Sequence, residues 1–146
     1  MKTLEFTKEF HAPIQKVWNT LWDKDTYPTW TNAFNPNGSS IMQSDGKVGG
    51  KTLFLDGKGN GMISTITVKN EPYDMVFKHL GELKDGIEDT TSDKIKQWSG
   101  SLEEYHLKEN NGVTTLIVKV QTDEAWAEML QNGFEKGLEV LNNLVK

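Results

Sequence analysis

From Thr122 to Val145 the chain carries one unbroken helical pattern. Trp126, Leu130, Gly133, Phe134, Gly137, Leu138, Leu141 and Val145 recur at three- and four-residue steps. Gln131, Asn132, Glu135, Lys136, Glu139, Asn142 and Asn143 fill the other side, so the segment reads as an amphipathic helix with one apolar stripe. Thr122 is placed to cap it, and Asp123-Glu124 put negative charge in its first turn, where the helix dipole favours it. About 23 residues at 1.5 Å each make a rod of roughly 34 Å. A 146-residue chain fits a single domain, 1–146, with a radius of gyration near 15 Å. Such a rod crosses the whole domain and needs an apolar partner along its full length.

The rest of the chain supplies that partner as strands. Thr3 to His11 alternates, with Leu4, Phe6, Lys8 and Phe10 on one side. Pro13 then stands where a helix can begin. Ile14, Val17, Trp18, Leu21 and Trp22 follow at helical spacing, and Tyr27-Pro28-Thr29-Trp30 makes a second short helical turn. Asn35 to Gly38 reads as a loop. Further strands are expected at 39–44, 51–56, 62–69, 73–79, 98–108 and 113–122. They are punctuated by Asp56-Gly57-Lys58-Gly59-Asn60-Gly61, Asn70-Glu71-Pro72 and Asn110-Asn111-Gly112. Lys84 to Gln97 is charged and nearly free of apolar residues, and reads as a mobile loop. The fold class is α+β. One long helix must cover six or seven antiparallel strands, so the sheet must curve around it.

That order, with particular short motifs, resembles the SRPBCC superfamily, which includes START-related lipid carriers and the Bet v 1 allergens. Within it the chain is most similar to the domain group named after the Hsp90 ATPase activator. The matching pieces are Ala12-Pro13-Ile14-Gln15-Lys16-Val17-Trp18, Trp30, Gly49-Gly50, Glu71-Pro72-Tyr73, Tyr105-His106-Leu107 and the C-terminal helix. The resemblance implies a helix-grip fold with a cavity between sheet and helix. Two departures stand out. Thr31 follows Trp30 where relatives carry a second aromatic, which implies a different cavity rim. Gly112-Val113-Thr114-Thr115 lacks the arginine that relatives often carry at this turn, so no role attached to that arginine transfers.

Composition excludes several functions. With no cysteine, disulfides, thiolate catalysis and Cys-based metal sites are out. All sixteen basic residues are lysines, scattered in a chain of net charge −5. Nucleic acid is therefore not an expected partner, because bidentate base and phosphate recognition favours arginine. The three histidines lie on separate segments, so no metal is expected. No cofactor is expected either, since Gly57 to Gly61 joins two strands and opens no helix. The apolar runs are too short to span a membrane, and no apolar signal segment opens the chain. A cytoplasmic location follows as the expectation, with the protein a monomer or homodimer.

The apolar positions facing the helix are the candidate cavity walls: Met42, Phe54, Met62, Ile66, Met75, Phe77, Tyr105, Trp126, Leu130, Phe134 and Leu138. Gly133 and Gly137 either leave room for a ligand or let a neighbour pack closely, since each costs about 1 kcal/mol of helix propensity. His79 shares a strand face with Met75 and Phe77, and is either a ligand contact, a general base or a bonded core histidine. Glu103 alternates with Tyr105 and Leu107. Pointing inward it would pair with His79, while a one-residue register slip would leave it in solvent. The function expected is binding or carriage of a small apolar ligand such as a lipid, sterol, polyketide or aryl compound. A cyclase or hydrolase acting through His79 and Glu103, and a chaperone-cofactor module, are the alternatives.

Overall fold

The computed structural model describes residues 1–35 and 40–146. Strand β1 (Lys2–Phe10) leads into helices α1 (Ile14–Trp22) and α2 (Tyr27–Thr31), the second continued by a 3₁₀ turn at Asn32–Phe34. Strands β2 (Ile41–Ser44), β3 (Lys51–Leu55), β4 (Gly61–Asn70), β5 (Asp74–Lys84) and β6 (Ile87–Asp89) follow. Helix α3 (Asp93–Lys96) precedes β7 (Leu102–Asn110), β8 (Val113–Thr122) and the long helix α4 (Glu124–Leu144). The expected loop at 35–38 lies mostly outside the described residues, as does the start of the expected strand at 39–44.

The strands form one antiparallel sheet in the order β1-β8-β7-β5-β4-β3-β2, with β6 on the end of β5. It curves around α4, which makes this the helix-grip architecture. On β1 the alternation holds, with Leu4, Phe6 and Phe10 buried under α4. Lys8, on the same face, reaches past them to pair with Glu139 of α4, its stem lying along apolar surface. The core fills the seam with Phe10, Val17, Trp18, Leu21, Trp30, Phe77, Tyr105, Leu116, Val118 and Leu141.

Four local expectations need correction. The sheet has eight strands, because the segment read as a mobile loop folds. Asp85 and Gly86 both take positive φ and pair Lys84 with Ile87 across a two-residue hairpin. Gly81 lets the chain come back close, since a Cβ there would lie 2.2 Å from the Asp89 carbonyl oxygen. Helix α3 is capped by the Ser92 hydroxyl and pinned by Ile95, which is fully buried. Second, Trp98 lies in the turn after α3 and not on β7. Third, the cap of α4 is Asp123, whose carboxylate accepts the Trp126 N–H at 3.2 Å, while the Thr122 hydroxyl bonds the Asp123 carbonyl. Fourth, two register shifts interrupt the β4–β5 pairing, leaving Leu80 of β5 unmatched between Ile63 and Ser64 and Thr67 of β4 unmatched between Ile66 and Val68. Ile63, Ser64 and Ile66 are buried and Val68 is 45% exposed.

Candidate functional site

The seam between α4 and the sheet is solid along its C-terminal half and hollow along its N-terminal half. The hollow is a cavity of about 460 Å³. Phe54, Met62, Tyr105, Leu130 and Phe134 line it, and Trp126 stands at its mouth, 57% exposed. Tyr27, Trp30, Thr31, Phe34 and Trp98 complete the aromatic and small-residue wall. Thr31 therefore does face the cavity; its hydroxyl is held by the Tyr27 carbonyl and by Ser40. Lys94 of α3 and Glu82 of β5 pair at 2.9 Å on the same lining.

The remaining candidates separate. Met42, Ile66, Met75 and Phe77 line a second recess of about 330 Å³. Tyr27 forms part of both linings. Leu138 is buried in the packed part of the seam and touches neither hollow. The glycines leave no room for a ligand. A Cβ at Gly133 would sit 2.4 Å from the Phe34 ring, and one at Gly137 would sit 2.9 Å from the Trp30 carbonyl oxygen. Both exist so that α4 can press against the 3₁₀ turn and α2.

Across the sheet side of the cavity runs one row of polar groups. Ser64 of β4 lies opposite His79 of β5 in the register, and its hydroxyl is 2.6 Å from His79 Nδ1. His79 Nε2 is 3.0 Å from Glu103 Oε1 on β7, and the Tyr105 hydroxyl donates to Glu103 Oε2. Glu103 thus points inward, as its alternation with Tyr105 requires. The four residues come from three adjacent strands, and the bulge at Ser64 brings the first of them into line. Burial first, and the Glu103 charge second, raise the pKa of both Tyr105 and Tyr27 well above the usual phenol value. Both phenols stay protonated.

The sheet thus assembles a Ser/His/acid row from three strands. Ser64 is fully buried and does not line the cavity, so it orients His79 and has no access to a ligand carbonyl. An ionised Glu103 beside Nε2 favours the tautomer with hydrogen on Nε2, in which the Ser64 hydroxyl donates to Nδ1. Among the described residues no group of three or more histidine, aspartate or glutamate side chains is placed to hold a metal. None of the helices is long and apolar enough to cross a membrane.

Comparison with known proteins identifies the family and the fold. The family model described as Activator of Hsp90 ATPase homolog 1-like protein matches residues 11–146. The chain belongs to that family. Members of the same fold superpose over nearly all of it. A protein from Arthrobacter aurescens gives a TM-score of 0.75 at 17% identity, covering 98% of this chain and 85% of the other. The Aha1 dimer from Colwellia psychrerythraea gives 0.70 at 15% identity, covering 99% and 96%. DynU16, a protein of the dynemicin biosynthetic locus, gives 0.69 at 16% identity, covering 98% of this chain and 46% of the other. At these identities the likeness establishes the fold, and the family's chemistry has to be read from each member's own residues. A search of curated protein sequences gave no match.

Proposed function

We propose that this family member binds a small hydrophobic molecule in the 460 Å³ cavity, as a carrier or binding domain. The observation that carries the reading is the character of that space. Its walls are mainly aromatic and aliphatic, with the Lys94–Glu82 pair on the lining, and its sheet side offers one compact polar row. Ligand sites for small molecules have this composition and this range of size. DynU16, whose locus is named for a biosynthetic product, gives the fold a small-molecule context. The test is titration with N-phenyl-1-naphthylamine, an apolar fluorophore, followed through its own emission and through quenching of Trp30, Trp98 and Trp126. Micromolar binding is expected. Absence of binding by this and other apolar probes would remove the reading.

The hydrogen-bonded row favours one second reading, an enzyme that moves a proton on a bound aryl or polyketide-like substrate. Glu103 would be the base, with His79 orienting it, since both ring nitrogens of His79 are engaged and Ser64 has no access to the cavity. Exchange of a bound ketone's α-hydrogen with D₂O, abolished in Glu103→Gln, would mark this activity. Binding without exchange leaves the carrier reading in place.

A further inference from the structure

Glu103 collects hydrogen bonds and the row has no spare donor. Facing an ionised Glu103, His79 takes the tautomer whose Nε2–H donates to Oε1, and Nδ1 then accepts from the Ser64 hydroxyl. Tyr105 gives its hydroxyl proton to Oε2. An ionised carboxylate offers about four acceptor positions and no donor. Two are used, one on each oxygen. Glu103 lines the cavity, and its side chain remains 20% accessible. An acceptor on a mostly apolar wall, where the lining's lysine, Lys94, is already paired with Glu82, must be met by a donor or pay the cost of desolvation.

We infer that Glu103 makes the cavity selective for apolar aromatic ligands carrying a hydroxyl donor, phenols or enols, with that hydroxyl received by the Glu103 carboxylate. This rests on the ligand-binding reading and names the ligand class that reading leaves open. The arrangement works in both directions. A phenol gains a charge-assisted hydrogen bond at a group already desolvated by its neighbours. A ligand with an ether or methyl group at that point leaves the acceptor uncompensated, and rejection of the analogue lacking the donor is the stronger half of such selectivity. A carboxylate ligand meets like charge at Glu103, while Lys94 on the same lining is already paired with Glu82, so such a ligand is disfavoured.

Three naphthalene probes of one skeleton separate these terms at neutral pH: 2-naphthol, 2-methoxynaphthalene and 2-naphthoate. Calorimetric or fluorescence titration of the wild-type protein is expected to give 2-naphthol an affinity about tenfold or more above the methyl ether. The naphthoate should bind weakest. In Glu103→Gln the alcohol-over-ether ratio should fall towards one and the naphthoate should gain affinity. Equal binding of alcohol and ether by the wild-type protein overturns the donor preference while the cavity reading stands. Failure of all three neutral and charged probes to bind overturns both. A ratio that survives intact in a folded Glu103→Gln protein shows that the hydroxyl is read elsewhere and overturns the assignment to Glu103. The wild-type comparison needs no variant, so a misfolded substitution does not blunt it. Tyr105→Phe supplies a second check. It frees a position on Oε2 without adding a donor, and should keep the alcohol preference.

Discussion

A methyl group is the smallest change a helix can receive, and at Gly137 it is expected to be harmful. The new carbon would lie 2.9 Å from the Trp30 carbonyl oxygen, a backbone atom that cannot swing away. Overpacking of this kind costs about 1–3 kcal/mol, against a propensity gain near 1 kcal/mol for replacing glycine in a helix. Gly137→Ala should therefore lose about 1 kcal/mol net in urea denaturation, and a gain in stability would show that α2 and α4 are less tightly joined. His106, on the outer face of β7, gives a residue-scale prediction of another kind. Desolvation pulls its pKa down, but hydrogen bonds and charge from Asp74 and Glu104 outweigh this and raise it above the ordinary imidazole value. Both ring nitrogens face carboxylates, at 2.7 and 3.1 Å, so the folded protein favours the imidazolium. A native pKa above the unfolded one contributes stability at low pH, and that contribution fades as pH rises through the native value. Denaturation midpoints should fall from about pH 6 to pH 8, and His106→Gln should flatten that slope. An unchanged slope in the variant would assign the pH dependence to other groups.

The elements differ in how plainly the sequence announces them. Helix α4 and strands β1 and β8 are read almost to the residue, because long periodic stretches leave little choice of face. The same Asn-Gly signal that marks the β7–β8 hairpin has a counterpart in Asp85-Gly86, where both residues take positive φ. That counterpart is hard to see because the strands it joins are charged and pair only at a sheet edge. Helix α3 is one turn long, and its buried content is a single side chain, Ile95. No periodicity exists in one residue, so sequence pattern reads 84–97 as a loop. The physical consequence is testable. Ile95→Ala removes the only buried side chain of α3, and a change of this type costs about 2–5 kcal/mol in a packed site. The loss should fall locally first: limited proteolysis should cut between residues 84 and 101 in the variant and spare that segment in the wild type. Equal resistance would mean that β6 and the Lys94–Glu82 pair hold the segment without Ile95.

At the scale of the molecule, the helix stripe and the facing strands specify a seam, and nothing in their spacing says which part of it is empty. Leu130 and Leu138 lie on the same side of α4, two turns apart, and look equivalent in sequence. Leu130 lines the hollow, whereas Leu138 is buried against the core. The two glycines deepen the ambiguity, because an absent side chain suggests space where Phe34 and Trp30 actually close in. The polar row was half legible. Alternation on β5 and β7 brings His79 towards Glu103, but Ser64 joins them through a bulge that pattern reading does not foresee. Placing one large side chain at each leucine distinguishes hollow from solid. Leu130→Trp puts its extra volume into the 460 Å³ space and, as a cavity-filling change, should leave stability level or raise it by about 0.5–2 kcal/mol. Leu138→Trp forces the same volume into filled space and should cost about 1–3 kcal/mol or more. Binding should follow the opposite logic. Leu130→Trp occupies the ligand's place, and N-phenyl-1-naphthylamine should lose about tenfold or more in affinity although the protein is as stable as before. A ligand site elsewhere in the fold would leave that affinity untouched. A stable protein that no longer binds would tie the hollow, rather than the fold as a whole, to the function.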